Sequence, residues 1–313
     1  MSVECHGRFI QVPVIKWVVR WAVWGLLLSS CMSAVAADRL VVYAVNYPLA
    51  YFAERIGGVN VEVHFPAPAG IDPVFWMPDA ETVAGYQGAD LVLLNGAGYA
   101  RWVERVSLPR RKLVDTSHSF SGSYIQLTEG VKHQHGPDGE HVHAGTAFTT
   151  WLDFNQAAQQ AGEIAAALSR QCPEHVAVFN ANLQRLQEEL LQLDARMQAV
   201  AAVQPGLPLL ASHPVYQYLA RRYGLQLRSV TWEPDVQPDG SSWRELQSML
   251  ETQASHWMLW EDNPHMETRK GLERLGVQTV LFRPAMNRPA RGDFMTQMQA
   301  NIEALAVAFD APD

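Results

Sequence analysis

Two stretches of this chain alternate short apolar, β-rich runs with helical patterns, and residues 155–204 between them read as almost unbroken helix. In the first stretch, residues 40–45, 59–65, 89–94 and 112–114 have strand character. Helices are expected over 48–56, stopped by Gly57-Gly58, after a cap at Asp79, and through Tyr99, Trp102 and Val103. The second stretch repeats the alternation, with strands at 207–211, 225–230, 256–260 and 277–282. Its helices run over 216–223, from Ser241, from Glu267, and to about Ala308. Strands separated by single helices must run parallel, so each half is expected to be a doubly wound α/β sheet.

The middle segment reads as two helices, 155–168 and 174–203, broken near Cys172-Pro173. In the second, Val176, Phe179, Leu183, Leu186, Leu190, Leu193 and Met197 recur at three- and four-residue steps and form one apolar stripe. The stripe lacks the regular flanking charge pairs of a coiled coil, so it fits a strut packed along both lobes of a monomer. The expected architecture is therefore two doubly wound α/β lobes with parallel sheets, joined by a long rigid linker helix, with a ligand cleft between them. The boundaries read as 1–37 for a leader, 38–154 for the first lobe, 155–204 for the linker helices and 205–313 for the second lobe.

Arg8, Lys16 and Arg20 precede the apolar run Trp21 to Leu28, which ends in Ala34-Val35-Ala36-Ala37. This is the layout of a secretory signal peptide and is too short to span a bilayer, so a soluble periplasmic product is expected. The segment Leu28-Ser29-Ser30-Cys31 offers a second processing site, resembling a bacterial lipobox, with lipid on Cys31. Past residue 37 the chain carries 21 Lys and Arg against 31 Asp and Glu, a formal charge of −10 that argues against nucleic acid as a partner. Cys172 is then the one clear cysteine, which leaves no internal disulfide and no cysteine-based metal site.

His133, His135, His141 and His143 crowd into one polar stretch with Asp138 and Glu140 between the two His-x-His pairs. Neutral imidazoles and carboxylates so close together point to a borderline-soft cation: zinc, copper or nickel before magnesium or calcium. Gly136, Pro137 and Gly139 are expected to keep the backbone out of helix or strand. Ordering such a loop costs entropy, so it reads as an auxiliary collector of metal, with the tight site elsewhere.

Several motifs together resemble the zinc- and manganese-type solute-binding proteins of bacterial ABC importers. They are Val45-Asn46-Tyr47-Pro48-Leu49-Ala50 with Gly57-Gly58, Gly70-Ile71-Asp72-Pro73, Asn95-Gly96-Ala97-Gly98 and Trp151-Leu152-Asp153 directly after the His-rich stretch. Ser212-His213, the run from Tyr218 to Leu225, and Glu233-Pro234 complete the set. The resemblance spans nearly all of the chain beyond residue 37. It implies a periplasmic receptor that delivers a divalent metal, zinc foremost, to a membrane permease.

For the site itself the resemblance is poor. Where family members place a histidine after Asp-Pro, this chain has Val74; where they place one before Trp-Leu-Asp, it has Thr149. Their aspartate in the last strand's Asp-Pro is Arg283 here, and of four ligands His213 alone remains. Val offers no lone pair and Arg brings a positive charge, so a closed tetrahedral site needs other donors. Strand-end carboxylates supply candidates: Glu261 and Asp262 with His213 as metal ligands, and Glu233, His265 and Arg283 as possible cleft contacts. The same residues have structural readings, since Glu233 precedes a proline, Glu261 to Pro264 can cap the next helix, and Arg283 can pair with a carboxylate. His64, His118, His175 and His256 read as surface or core histidines.

Tyr47, Phe75, Trp76, Tyr99, Trp151 and Trp232 lie at or beside loops that follow strands; core packing accounts for most such rings. With Arg283 they also support an alternative reading, a receptor for a metal chelate or small anion. An enzyme is not expected, because Ser212 beside His213 assembles no nucleophile, base and orienter.

Overall fold

Leu40, Val42 and Ala44 are buried while Val41 and Tyr43 between them are half-covered, the alternation of a strand packed more deeply on one face. In the computed structural model, which describes residues 1, 2, 4, 39–134 and 140–310, these residues form strand β1 (Leu40–Ala44). Helix α1 (Tyr47–Gly57) follows. Asn46 caps it by accepting the Leu49 amide, and Gly58, at φ 55°, ends it. Strand β2 (Val61–His64) begins two residues later than the sequence suggests, because Gly58–Asn60 first make a turn of 3-10 helix. Asp79 caps helix α2 (Ala80–Gly88), and strands β3 (Leu91–Leu94) and β4 (Leu113–Asp115) complete a parallel sheet ordered β2-β1-β3-β4. The helix expected through Tyr99 and Val103 is reduced to one 3-10 turn, Arg101–Arg105. Ala97 and Ala100 take left-handed φ values of 51° and 52°, which interrupt a right-handed helix.

The His-rich stretch departs from expectation. Its flanks pair as an antiparallel hairpin, β5 (Gln126–Gln134) and β6 (Glu140–Thr146), with Lys132 opposite Val142 and His133 opposite His141. His133, His141 and His143 are thus strand residues, where an irregular loop was expected. Two β-capable arms flanking a Gly-Pro-Asp-Gly cluster are a hairpin signal that outweighed the polar composition. His135, Asp138, the leader segment from Cys5 through Ala37 and Cys31 within it lie outside the described residues.

Helix α3 (Phe154–Gln171) and the 28-residue helix α4 (Val176–Val203) are separated by a short turn at Pro173–His175. Beyond them, β7 (Pro208–Ala211), α5 (Gln217–Tyr223), β8 (Gln226–Ser229), α6 (Gly240–Thr252), β9 (Trp257–Trp260), α7 (Met266–Arg274), β10 (Gln278–Leu281) and α8 (Phe294–Asp310) build the second lobe. Its sheet is again wholly parallel, ordered β10-β9-β7-β8. Leu209, Ala211, Leu259 and Val280 face a core that continues into the first lobe, whereas Leu210, Met258 and Trp260 face a second core with Leu246 and Leu272. Both lobes belong to one unit, Arg39–Asp313; Met1–Asp38 is a separate unit. Among the described residues no helix is long and apolar enough to cross a membrane.

Helix α4 packs on α1 and α3 and also on α8, so one element braces both lobes. Phe179, Leu186, Leu190, Leu193 and Met197 are buried along it, each contributing roughly 1.5–3 kcal/mol relative to exposure. Asp194 lies buried in the same stripe. It accepts hydrogen bonds from Arg222 (2.6 and 2.9 Å) and from the Tyr223 hydroxyl (2.9 Å), which fastens α4 to α5. Asp194→Ala should destabilise the chain by about 2–4 kcal/mol, short of a fully buried pair because Arg222 is part-exposed and stays near Asp153. Urea unfolding checks this; a loss under about 0.5 kcal/mol, the ordinary surface-substitution range, would remove the fastening role.

Candidate metal centre

The carboxyl ends of both parallel sheets face a cavity of about 810 Å³ between the lobes, the place where open α/β sheets bind ligands. Two backbone bonds at the second sheet position its donors. Ser212 donates its amide to Leu259 O (2.8 Å) and accepts from the Trp232 amide (2.7 Å), so the segments following β7, β8 and β9 are held side by side. His213 and Glu233, each one residue beyond these anchors, and Glu261, two residues beyond Leu259, therefore converge. His213 is buried, its side chain 4% exposed, with Nδ1 3.4 Å from Glu233 Oε1 and 3.9 Å from Glu261 Oε1.

The first lobe adds Asp72, whose Oδ1 accepts the Val74 amide (2.9 Å) and holds the loop after β2 in a turn over the cleft. Burial pushes the Glu261 carboxyl well above the ordinary range, and the negative charges of Asp72 and Glu233 push it the same way. Three part-buried carboxylates and the buried imidazole thus line the same cleft. Among the described residues no three His, Cys, Asp or Glu converge closely enough to enclose a metal ion in this conformation. The cleft supplies suitable donors, and a divalent cation would relieve the mutual repulsion of its acids.

Asp262 and His265 are not drawn into this group. Asp262 is largely exposed and accepts Arg283 Nη2 (2.7 Å) and Nε (3.2 Å), so Arg283 takes up the role of ion-pair partner. His265 caps α7, accepting the Glu267 amide (3.2 Å). The other two positions where the resemblance implies a donor hold structural residues. Val74 is buried in the core, and Thr149, fully buried, donates its hydroxyl to Val215 O across the lobes. Most of the rings are core as well: Trp151 is wholly buried and donates to Pro284 O (2.8 Å), Trp232 packs on Trp243, and Tyr47 and Tyr99 are nearly inaccessible. Phe75 and Trp76 stay part-exposed. Asp72 was visible in sequence as part of the Gly70-to-Pro73 motif, but nothing in its spacing to His213 could reveal that the two lobes bring it beside Glu261.

An acid whose proton affinity is raised in the folded chain keeps its proton where the unfolded chain has lost it. Stability then declines as pH rises through the ordinary glutamate value of about 4.3. In metal-free protein, Glu261→Gln should accordingly gain stability over the parent, with a margin that widens as pH rises from about 4.3 toward neutrality. Urea unfolding in chelator across that range measures the margin; a pH-independent difference would exclude Glu261 from the crowded group.

Comparison with known proteins agrees with this architecture. Residues 42–308 match the family described as zinc-uptake complex component A, periplasmic. The zinc-binding lipoprotein AdcA of Streptococcus pneumoniae is 24% identical over 299 residues, covering 91% of this chain and 59% of that protein. This chain thus spans about three fifths of that relative. The high-affinity zinc uptake system protein ZnuA of Bacillus subtilis is 26% identical over 222 residues, 67% of each chain. The Zn(II)-bound ZnuA-like domain of S. pneumoniae AdcA superposes with a TM-score of 0.74 at 21% identity, over 88% of this chain and all of that one. With the match extending over nearly the whole of both lobes, the chain belongs to the periplasmic zinc-uptake component A family.

Proposed function

We propose that this protein is a periplasmic receptor that captures a divalent metal ion, zinc foremost, in the interlobe cleft and delivers it to the membrane permease of an ABC importer. The convergence of buried His213 with Glu233 and Glu261 carries the reading. One imidazole and two carboxylates on the second lobe, with Asp72 of the first lobe lining the same cleft, form a donor set that zinc accepts at about 2.0–2.2 Å. In this reading residues 1–37 are a leader removed on export, with lipid attachment at Cys31 as the other route. Residues 38–154 form the first lobe, 155–204 the linker and 205–313 the second lobe. The protein acts as a monomer and carries no catalysis.

Losing the one imidazole should cost several kcal/mol, and at about 1.4 kcal/mol per tenfold His213→Ala should lower zinc affinity by two or more orders of magnitude. Glu261→Ala should weaken it less. Val74→Ala, in the core, should leave it nearly unchanged. Titration of the three variants in one metal buffer is the test, and undiminished affinity in His213→Ala would move the ion out of the cleft.

The four histidines of the His-rich stretch, His133, His135, His141 and His143, are the auxiliary, fast-exchanging donors of this reading. Deleting residues 132–143 should reduce the number of zinc ions bound by isothermal titration while leaving the tightest event in place. Disappearance of that event would make the hairpin the principal site.

A second reading, capture of a metal chelate or small anion, is favoured by the cavity volume, far beyond a bare ion, and by Arg283, Arg288 and Arg291 in its walls. Elemental analysis and native mass spectrometry of protein purified without added metal separate the two: stoichiometric metal alone supports the first, a co-bound organic mass the second.

A further inference from the structure

A second cavity, of about 530 Å³, lies in the first lobe beside the cleft. Phe75 and Phe148 line both cavities. Val74 lines this one and is absent from the walls of the cleft. The position at which the family resemblance implies a metal-binding imidazole therefore turns an apolar side chain toward a different space. Phe148 is braced from below by Tyr99, edge-on at 5.6 Å, which itself meets Trp151 edge-on at 5.9 Å. Trp76 and Met77 are partly or largely exposed along the same lining.

Charge gives this mixed apolar and polar space a direction. Arg101 and Arg105 both line it from the 3-10 turn after β3 and both are exposed. Among the described residues neither guanidinium has a carboxylate within ion-pair distance, although Glu104 stands between them in the lining. The wall is thus two positive charges against one negative. Ala97 and Gly98, also in the lining, take left-handed φ values of 51° and 73°. A non-glycine residue in that region is strained, and such strain gathers where a backbone is shaped around a ligand.

We propose that this cavity is a second ligand site, for a small flat anion: an aromatic carboxylate whose ring packs among Phe75, Trp76 and Phe148 while its carboxylate is held by Arg101 and Arg105. Planar guanidinium forks match carboxylate geometry, and ring faces and edges supply the apolar contact. The volume lies within the usual range for small-molecule sites, roughly 300–1,000 Å³. The site uses none of the metal donors, so it stands whether or not zinc occupies the cleft.

The probe is 2-naphthoate, titrated calorimetrically and by saturation-transfer NMR into the full chain held in chelator. Acetate and 2-naphthylmethylammonium serve as the charge-only and ring-only controls. Naphthoate should bind at least about tenfold more tightly than either control, and Arg101→Ala with Arg105→Ala should cost about tenfold or more. Both arginines are exposed, so the double variant keeps its fold. His213→Ala should bind the probe as the parent does. The proposal is overturned by absence of naphthoate binding at about 1 mM, by equal binding of the ammonium analogue, by undiminished binding in the double arginine variant, or by loss in His213→Ala, which would place the probe in the cleft.

Discussion

One continuous apolar surface, made by both sheets and by a single stripe of α4, sets where the strand ends of the two lobes stand. Apolar burial is non-directional; it pulls the lobes together without choosing an angle. Direction comes from the polar groups embedded in that surface. Asp194 ties α4 to α5 through Arg222 and Tyr223, while Trp151 reaches Pro284 O and the Tyr47 amide reaches Met286 O (3.0 Å) across the lobes. Burying these groups is costly unless every bond is made, so an alternative lobe orientation loses them together. The cleft is the space left over once those bonds are satisfied.

Within the first lobe the same logic repeats at smaller scale. Asn46, Asn95, Thr116, Thr150 and Gln160 are all buried, and Asn95 Oδ1 accepts from Asn46 Nδ2 (3.2 Å) and Gln160 Nε2 (3.3 Å). Gln160 Nε2 also donates to Thr116 Oγ1 (3.0 Å), and Asn95 Nδ2 donates to Phe148 O (2.8 Å). The network reaches from the ends of β1, β3 and β4 to the segment before α3. It fixes the backbone carrying Phe148 and Thr149, one of which walls both cavities while the other crosses to the second lobe. Apolar residues of the same size would bury more cheaply but would leave that backbone without a defined register.

The alternation of strands and helices was readable because parallel βα units require it, and the α4 stripe because 3.6-residue periodicity is difficult to produce otherwise. Departures arose where a local conformation depends on backbone geometry that composition does not show. Ala97 and Ala100 have no reason in their own side chains to be left-handed, yet they shorten a helix to one turn. The hairpin was hidden because its polar sequence lacks the apolar–polar alternation that marks a half-buried strand. His213, Glu233 and Glu261 could be nominated as strand-end residues of one lobe, where register is local. Asp72 could not, since its place beside Glu261 depends on the packing angle between lobes, encoded in contacts scattered over the whole chain.

At the three positions where the family resemblance implies a donor, the residues present have other jobs: Val74 fills core, Thr149 crosses the lobes, and Arg283 pairs with Asp262. The donors that remain are one borderline nitrogen and hard carboxylate oxygens. Imidazole favours zinc and its late-row neighbours, whereas oxygen donors bind harder ions almost as readily, so a shell richer in oxygen discriminates less by donor chemistry. In the proposed function, preference for zinc in such a cleft would therefore rest chiefly on His213. A bound cation would also compete with the proton affinity of Glu261, which burial and then the charges of Asp72 and Glu233 raise. In the proposed function, metal capture is consequently coupled to proton release, since the carboxylate crowding that raises the Glu261 proton affinity is the same feature that would draw a cation into the cleft.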